Sequence, residues 1–171
     1  REVEWSVNKD NRGYTNLPKT IRDKLLNTVG NNLFDGCENL RTISFPYPIK
    51  NIGEFAFNGC KNLCNINIPI NGSITKIGKA AFQGCEHLME INCEQVGVVG
   101  VANDKTLFAD TIADNAFMGC SNLDVNTIYS KFIGNCAFMS CKNLERVSLF
   151  LTTYLGDKAF ASCSRLKKLC A

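Results

Sequence analysis

The chain has 171 residues, 45% of them hydrophobic, with ten cysteines and a formal net charge of +3. That length and apolar content support one domain around a continuous core. The charge is too mild to demand a nucleic-acid or acidic-membrane partner, and no apolar run approaches the ~20 residues of a membrane span.

The chain opens at Arg1 without methionine or a signal-like apolar segment, and it stops at Cys170-Ala171 inside a repeat, so both ends read as cut. Residues 1–33 carry Leu17-Pro18 and Val29-Gly30, which become regular motifs only later; they read as an irregular first rung or an N-terminal cap. From Leu33 onward one phrase recurs. Leu33-Phe34 to Leu40, Ala56-Phe57 to Leu63, Ala81-Phe82 to Leu88, Ala116-Phe117 to Leu123, Ala137-Phe138 to Leu144 and Ala159-Phe160 to Leu166 all follow Ala-Phe-x-x-Cys-x-x-Leu, the first with leucine for alanine. The phenylalanines are 23, 25, 35, 21 and 22 residues apart. A period in the low twenties marks a solenoid, in which no unit buries its own apolar face alone.

Within each unit the leucine leads into x-x-Ile-x-Ile/Phe-Pro, seen at Leu40, Ile43, Phe45, Pro46 and at Leu63, Ile66, Ile68, Pro69. The Ile-x-Ile alternation is the period of a short strand, and proline ends it because it lacks a ladder N–H. One strand per rung predicts a parallel sheet along the axis. The second half reads Ile-x-x-Ile-Gly-x-x-Ala-Phe, as at Ile49, Ile52, Gly53, Ala56, Phe57. Its glycine predicts a backbone conformation that other residues reach only with strain. The Ala-Phe step predicts a short helical or 3-10 turn on the opposite side, with the rings between layers.

Two units depart from the pattern. The third is about ten residues too long, so residues 94–110 contain an insertion. Its β-branched run Val96–Val101 suits an added strand or hairpin before Leu107-Phe108 rejoins the scaffold. In the fourth, Val125 and Ile128 follow Leu123 at an unusual offset, which predicts a register irregularity near Asn126.

The composite Ile-Pro, Ile-x-x-Ile-Gly-x-x-Ala-Phe-x-x-Cys-x-x-Leu resembles the BspA-like, or Treponema pallidum type, class of leucine-rich repeat over residues 29–169. The fold expected is α/β: a right-handed leucine-rich repeat solenoid of about six to seven rungs, with a parallel sheet on one face and helical or 3-10 turns on the other. Proteins of this resemblance are commonly surface or secreted proteins of bacteria and parasitic protists, implicated in adhesion to host matrix proteins and cells. The resemblance therefore implies a non-catalytic protein-binding module without a cofactor, at the cell surface or secreted. An intracellular repeat scaffold is the alternative.

Ten cysteines would ordinarily suggest a disulfide framework. Six of them, Cys37, Cys60, Cys85, Cys120, Cys141 and Cys163, share one repeat slot. Equivalent slots lie about 4.8 Å apart and point the same way, which suits buried thiols better than disulfides. Cys93 occupies an inward strand position, Cys64 lies near the surface, and Cys136 leaves a local disulfide with Cys120 or Cys141 open.

No catalytic or metal set is apparent. His87, the lone histidine, fills the slot of Asn39, Asn62, Asn122 and Asn143, which suits a polar ladder bonding the bend of each rung. Cys85–His87 is the only nameable thiol–imidazole pair, and a remote thiol-dependent hydrolase would rest on it. Cys60-x₃-Cys64 and Cys136-x₄-Cys141 have zinc-like spacing, yet Cys60 and Cys141 belong to the repeat column. Binding candidates are the outward strand positions Thr42, Ser44, Asn65, Asn67, Glu90, Asn92, Arg146 and Ser148. They are mostly small, polar and uncharged, which fits a protein partner, such as a host or extracellular matrix protein, rather than nucleic acid. Val98, Val99 and Val101 of the insertion are a second candidate contact.

Overall fold

The structure, a computed structural model, describes residues 27–45, 48–69, 74–94 and 105–171. It is a parallel-strand solenoid. Its strands are β1 (Thr28–Val29), β2 (Thr42–Ser44), β3 (Asn51–Ile52), β4 (Asn65–Pro69), β5 (Ile74–Ile77) and β6 (Glu90–Glu94). They continue with β7 (Thr106–Ile112), β8 (Thr127–Tyr129), β9 (Phe132–Ile133), β10 (Arg146–Phe150), β11 (Tyr154–Leu155) and β12 (Lys168–Cys170).

Each full rung holds two strands rather than the one expected. The first follows the repeat leucine, and the second is the short Ile-Gly step of β1, β3, β5, β9, β11 and the end of β7. Register is strict: Ile43 faces Ile66 and Ile66 faces Ile91, while Val29, Ile52, Ile77, Ile112 and Ile133 align in the second ladder. Beyond the second strand the chain keeps bonding between rungs, as in Gly53 N–H to Val29 O at 2.8 Å and Gly78 N–H to Ile52 O at 2.8 Å.

The Ala-Phe segments are successive turns; no helix forms among the described residues. Two features of the backbone explain this. Every rung has a left-handed residue two before the phenylalanine (Asn32, Phe55, Ala80, Asn115, Cys136, Lys158) and another two after it (Gly36, Gly59, Gly84, Gly119, Ser140, Ser162). Those two residues and the phenylalanine also donate their amides to the next rung, as with Ala80 N–H to Asp114 O, Phe82 N–H to Ala116 O and Gly84 N–H to Met118 O, at 2.8 to 2.9 Å. An amide spent between rungs cannot close a helical turn. The segment is thus a third inter-rung ladder.

The Ile-Gly glycines need correction as well. Gly53, Gly78 and Gly134 do not have positive φ; their constraint is space. A Cβ on Gly78 would stand 2.7 Å from Glu54 N and from Gly53 C of the preceding rung. The positive-φ glycines are instead those before the repeat cysteine, with φ of +68° to +78° and no Cβ contact nearer than 3.7 Å.

The core is a set of columns. Phe34, Phe57, Phe82, Phe117, Phe138 and Phe160 stack with centroids 5.0 to 5.2 Å apart. Beside them run the repeat leucines, isoleucines, alanines and cysteines, nearly all buried. Small alanine before every ring but the first allows this spacing, which is that of strands in a sheet.

The long third unit contributes twice to the strand face. β6 pairs with β4, whereas Thr106–Phe108 of β7 pairs with β8. The rest of β7, Ala109–Ile112, then lies between β5 and β9 in the second ladder. Leu107 is buried in the core, in register with Ile128. Val96–Val101 and Leu17-Pro18 lie outside the described residues. In the fourth unit Ile128 aligns with Leu107 and Leu149, and the irregularity is confined to Val125, buried, and Asn126, exposed where other rungs bury Ile or Val.

Candidate binding face

Alternation along the first strands turns one set of side chains to the core and the other to solvent. The outward set falls into columns parallel to the axis. Thr42 registers with Asn65 and Asn65 with Glu90, and Ser44 registers with Asn67; the backbone of Asn92 continues the second line in register with Asn67. Asn67 Nδ2 donates to Ser44 Oγ at 3.0 Å, so one column is laced by side chains. Arg146 and Ser148 lie on β10, beside Lys168 and Cys170 of β12. The sequence candidates therefore form two groups, on β2–β4–β6 and on β10, with β7 and β8 between them. Val98, Val99 and Val101 lie outside the described residues.

Sequence reasoning missed the middle of this face. Thr106, Thr127 and Ser148 make one outward column, and Phe108, Tyr129 and Phe150 make the next. Those three rings stack with centroids 4.9 Å apart and planes 9° and 18° from parallel. In β4 the equivalent position is Pro69, so a repeat template that expects proline hides the aromatics. Their alternation with buried Leu107, Ile128 and Leu149 was the available signal. Phe132 and Tyr154 form a further stack, 4.5 Å apart, on the second ladder.

The polar slot after the repeat cysteine works as a rung tie. Asn62 Nδ2 donates to Glu38 O at 2.8 Å, and Asn143 Nδ2 to Asn122 O at 3.4 Å. His87 substitutes directly: its Nδ1 lies 2.8 Å from Lys61 O, so Nδ1 carries the proton. Cys85 faces the interior instead, fully buried, with its thiol 3.0 Å from Phe57 O. The structure does not bring the two together as a nucleophile and base. Asp114 also serves a rung tie: its Oδ1 accepts from Asn135 N–H at 2.8 Å.

The same thiol contact repeats along the column. Cys60, Cys120, Cys141 and Cys163 donate to Phe34 O, Phe82 O, Phe117 O and Phe138 O at 3.0 to 3.1 Å. Burial, with neighbouring thiols adding to it, pushes the Cys60 pKa up to about 12 and raises those of Cys85, Cys120 and Cys141 strongly. These sulfurs are hydrophobic fillers with a weak donor, not nucleophiles. No disulfide forms among the described cysteines, Cys136 included. Its backbone is left-handed and its side chain half-buried. No cluster of three metal-ligating side chains occurs among the described residues, and Cys64 Sγ turns to Asn62 O at 3.3 Å.

Comparison with known proteins agrees with this geometry. The family described as BspA type leucine rich repeat region matches residues 12–101 and 106–170 in six copies. A leucine-rich repeat protein from Bacteroides ovatus is similar in structure, with 30% identity and a TM-score of 0.64 over 83% of this chain. This chain spans 34% of that protein's length. The T. pallidum leucine-rich repeat protein shares 25% identity over 81% of this chain and 71% of its own, at a TM-score of 0.48. None of the curated proteins matches the sequence. With repeat slots, rung register and family match in agreement, the chain belongs to the BspA-type leucine-rich repeat family.

Proposed function

We propose that this repeat array is a non-catalytic protein-binding module of a surface or secreted protein, and that its outward strand face receives a host or matrix protein. The observation that carries the reading is the registered outward columns on β2–β4–β6 and β8–β10: side chains free to vary on a backbone held by three inter-rung ladders. A rigid sheet of this kind presents a preordered surface and loses little freedom on binding. Thr42, Ser44, Asn65, Asn67, Glu90, Asn92, Arg146 and Ser148 are the proposed contacts.

Biolayer interferometry against a panel of purified extracellular matrix proteins tests this. At least one should bind, and replacing Asn67 and Asn92 together with alanine should weaken it about tenfold, the loss of one good contact pair. Binding to none of the panel, or unchanged affinity in the double variant, would refute the reading. One observation favours a second reading, an intracellular scaffold. Cys64, Cys136 and Cys170 are partly exposed thiols outside any disulfide, which suits a reducing compartment. Labelling of intact cells with an antibody to the domain separates the two.

A further inference from the structure

We infer that the column of ring edges formed by Phe108, Tyr129 and Phe150, followed by Leu151 and sharing its face with Arg146 and Lys168 one column of small polar side chains away, is a docking strip for an acidic protein segment that carries an apolar side chain. The inference rests on the reading of the chain as a protein-binding module and names the chemistry of its partner.

Ring geometry comes first. Tyr129 is stacked on both sides, by Phe108 and by Phe150. Both faces of Tyr129 and one face each of Phe108 and Phe150 are therefore used up along the axis, and edges are what the middle of the strip turns to solvent. An aromatic edge is the positive end of the ring quadrupole, so it complements carboxylate and carbonyl oxygens and repels cations. A sugar or a quaternary ammonium would need an open face, which the middle of the ladder lacks.

Charge points the same way. Arg146 and Lys168 are register partners on this face, both exposed, and neither has a carboxylate partner among the described residues. The nearby Glu145 is engaged by Arg165 and Lys167. Residues 105–171 hold eight Lys and Arg against five Asp and Glu, whereas residues 27–94 hold five against six. The positive excess thus belongs to the rungs that carry the aromatic column.

Leu151 supplies an independent sign. It follows Phe150 directly, is 68% exposed, and sits at φ +65°. A branched apolar residue takes the left-handed region only with strain, and here its side chain gains nothing from the core. Phe150 beside it is 45% exposed. A partner that buries both supplies the missing compensation, and such paired apolar anchors within a charged rim are the usual makeup of a hot spot.

The test uses fluorescence anisotropy with a labelled peptide of alternating Glu and Leu, its Lys and Leu counterpart, and heparin as a polyanion that is not a protein. The acidic peptide should bind and the basic one should not. Arg146→Glu and Leu151→Asn should each weaken binding about tenfold. Leu151→Asn should melt no lower than the parent, because asparagine tolerates the left-handed region; its binding loss is then not unfolding. Equal binding of both peptides, indifference to both substitutions, or capture of heparin without the acidic peptide would overturn the strip. So would a concentration-dependent dimer that Leu151→Asn dissolves, since a second copy would then be the occupant. A domain that holds a matrix protein with unchanged affinity in Leu151→Asn refutes the strip and leaves the proposed function standing. A domain that binds no matrix protein refutes the proposed function itself.

Discussion

Gly78 and Gly84 sit in one rung, yet they are glycine for different reasons, and two substitutions at each separate those reasons. At Gly78 a Cβ would stand 2.7 Å from Glu54 N and Gly53 C, both backbone, so the rungs must part to admit it. At Gly84 the nearest atom to a Cβ is 3.8 Å away, and the constraint is φ +72°. The chain contains its own calibration. Ala113 occupies the Gly78 slot in the next rung, and its amide reaches Ile77 O at 3.0 Å, against 2.7 to 2.8 Å for Gly53, Gly78, Gly134 and Gly156. A methyl group is thus admitted with a slightly longer ladder bond. That places Gly78→Ala in the lower part of the overpacking range, about 1–2 kcal/mol. A protein of this size loses ~2–4 °C in Tm per kcal/mol, so the melt should fall by ~2–8 °C. Gly84→Ala should cost about 1 kcal/mol through its backbone alone. Asparagine then splits the slots. Gly84→Asn should be milder than Gly84→Ala, since asparagine visits the left-handed region readily, while Gly78→Asn should be worse than Gly78→Ala because it is larger. Thermal melts of the four variants by far-UV circular dichroism decide it. If alanine and asparagine rank alike at both slots, the distinction between crowding and conformation is wrong.

Three further outcomes are expected. Phe82→Ala removes a fully buried ring stacked on both sides at 5.2 Å, and should cost ~3–5 kcal/mol for the cavity plus ~0.5–1.5 kcal/mol for stacking, read as a lower denaturation midpoint. In thiol labelling with Ellman's reagent at pH 8, Cys64, Cys136 and Cys170 should react in the native state, whereas Cys60, Cys85, Cys120 and Cys141 should react only after denaturation. Alkaline stability follows from the same burial. The Cys60 pKa rises from its ordinary 9.0 to about 12 on folding, so the folded state holds its proton more tightly. That contribution is fully present below pH 9 and is lost as pH rises from there through about 12. Replacing Cys60 with alanine should flatten the decline between those values in pH-dependent melts.

The repeat slots made the columns legible before any coordinates, because residues one period apart must stack. Phe57 on Phe82, Ile66 on Ile91 and Cys85 toward the core all follow from position alone. What the pattern could not show was how the backbone spends its amides. The Ala-Phe turn looks helical by spacing, but Ala80 and Gly84 are left-handed and donate to the next rung. Glycine in Ile-Gly likewise signals an unusual torsion as readily as a close approach, and only the distance between neighbouring rungs distinguishes them. On the candidate face the N-terminal columns were readable from strand alternation. Tyr129 and Phe150 were not, since they stand where the template has proline, and Phe108 belongs to a strand with no counterpart in the repeat.

The doubled strand of the third unit has a mechanical consequence. Between the rung of Phe82 and that of Phe117, β6 bonds back to β4 while β8 bonds to Thr106–Phe108, and no described strand pairs β6 with β7. The other two ladders cross that boundary intact, through β5 with β7 and through the amides of Ala80, Phe82 and Gly84. In an array governed by nearest neighbours, the junction with the fewest bonds is where cooperative blocks come apart. Tension along the axis would load this seam on the outward strand face, where Asp124 N–H to Met89 O at 2.9 Å spans it in place of a strand pair, with the remaining ladders acting as its hinge line.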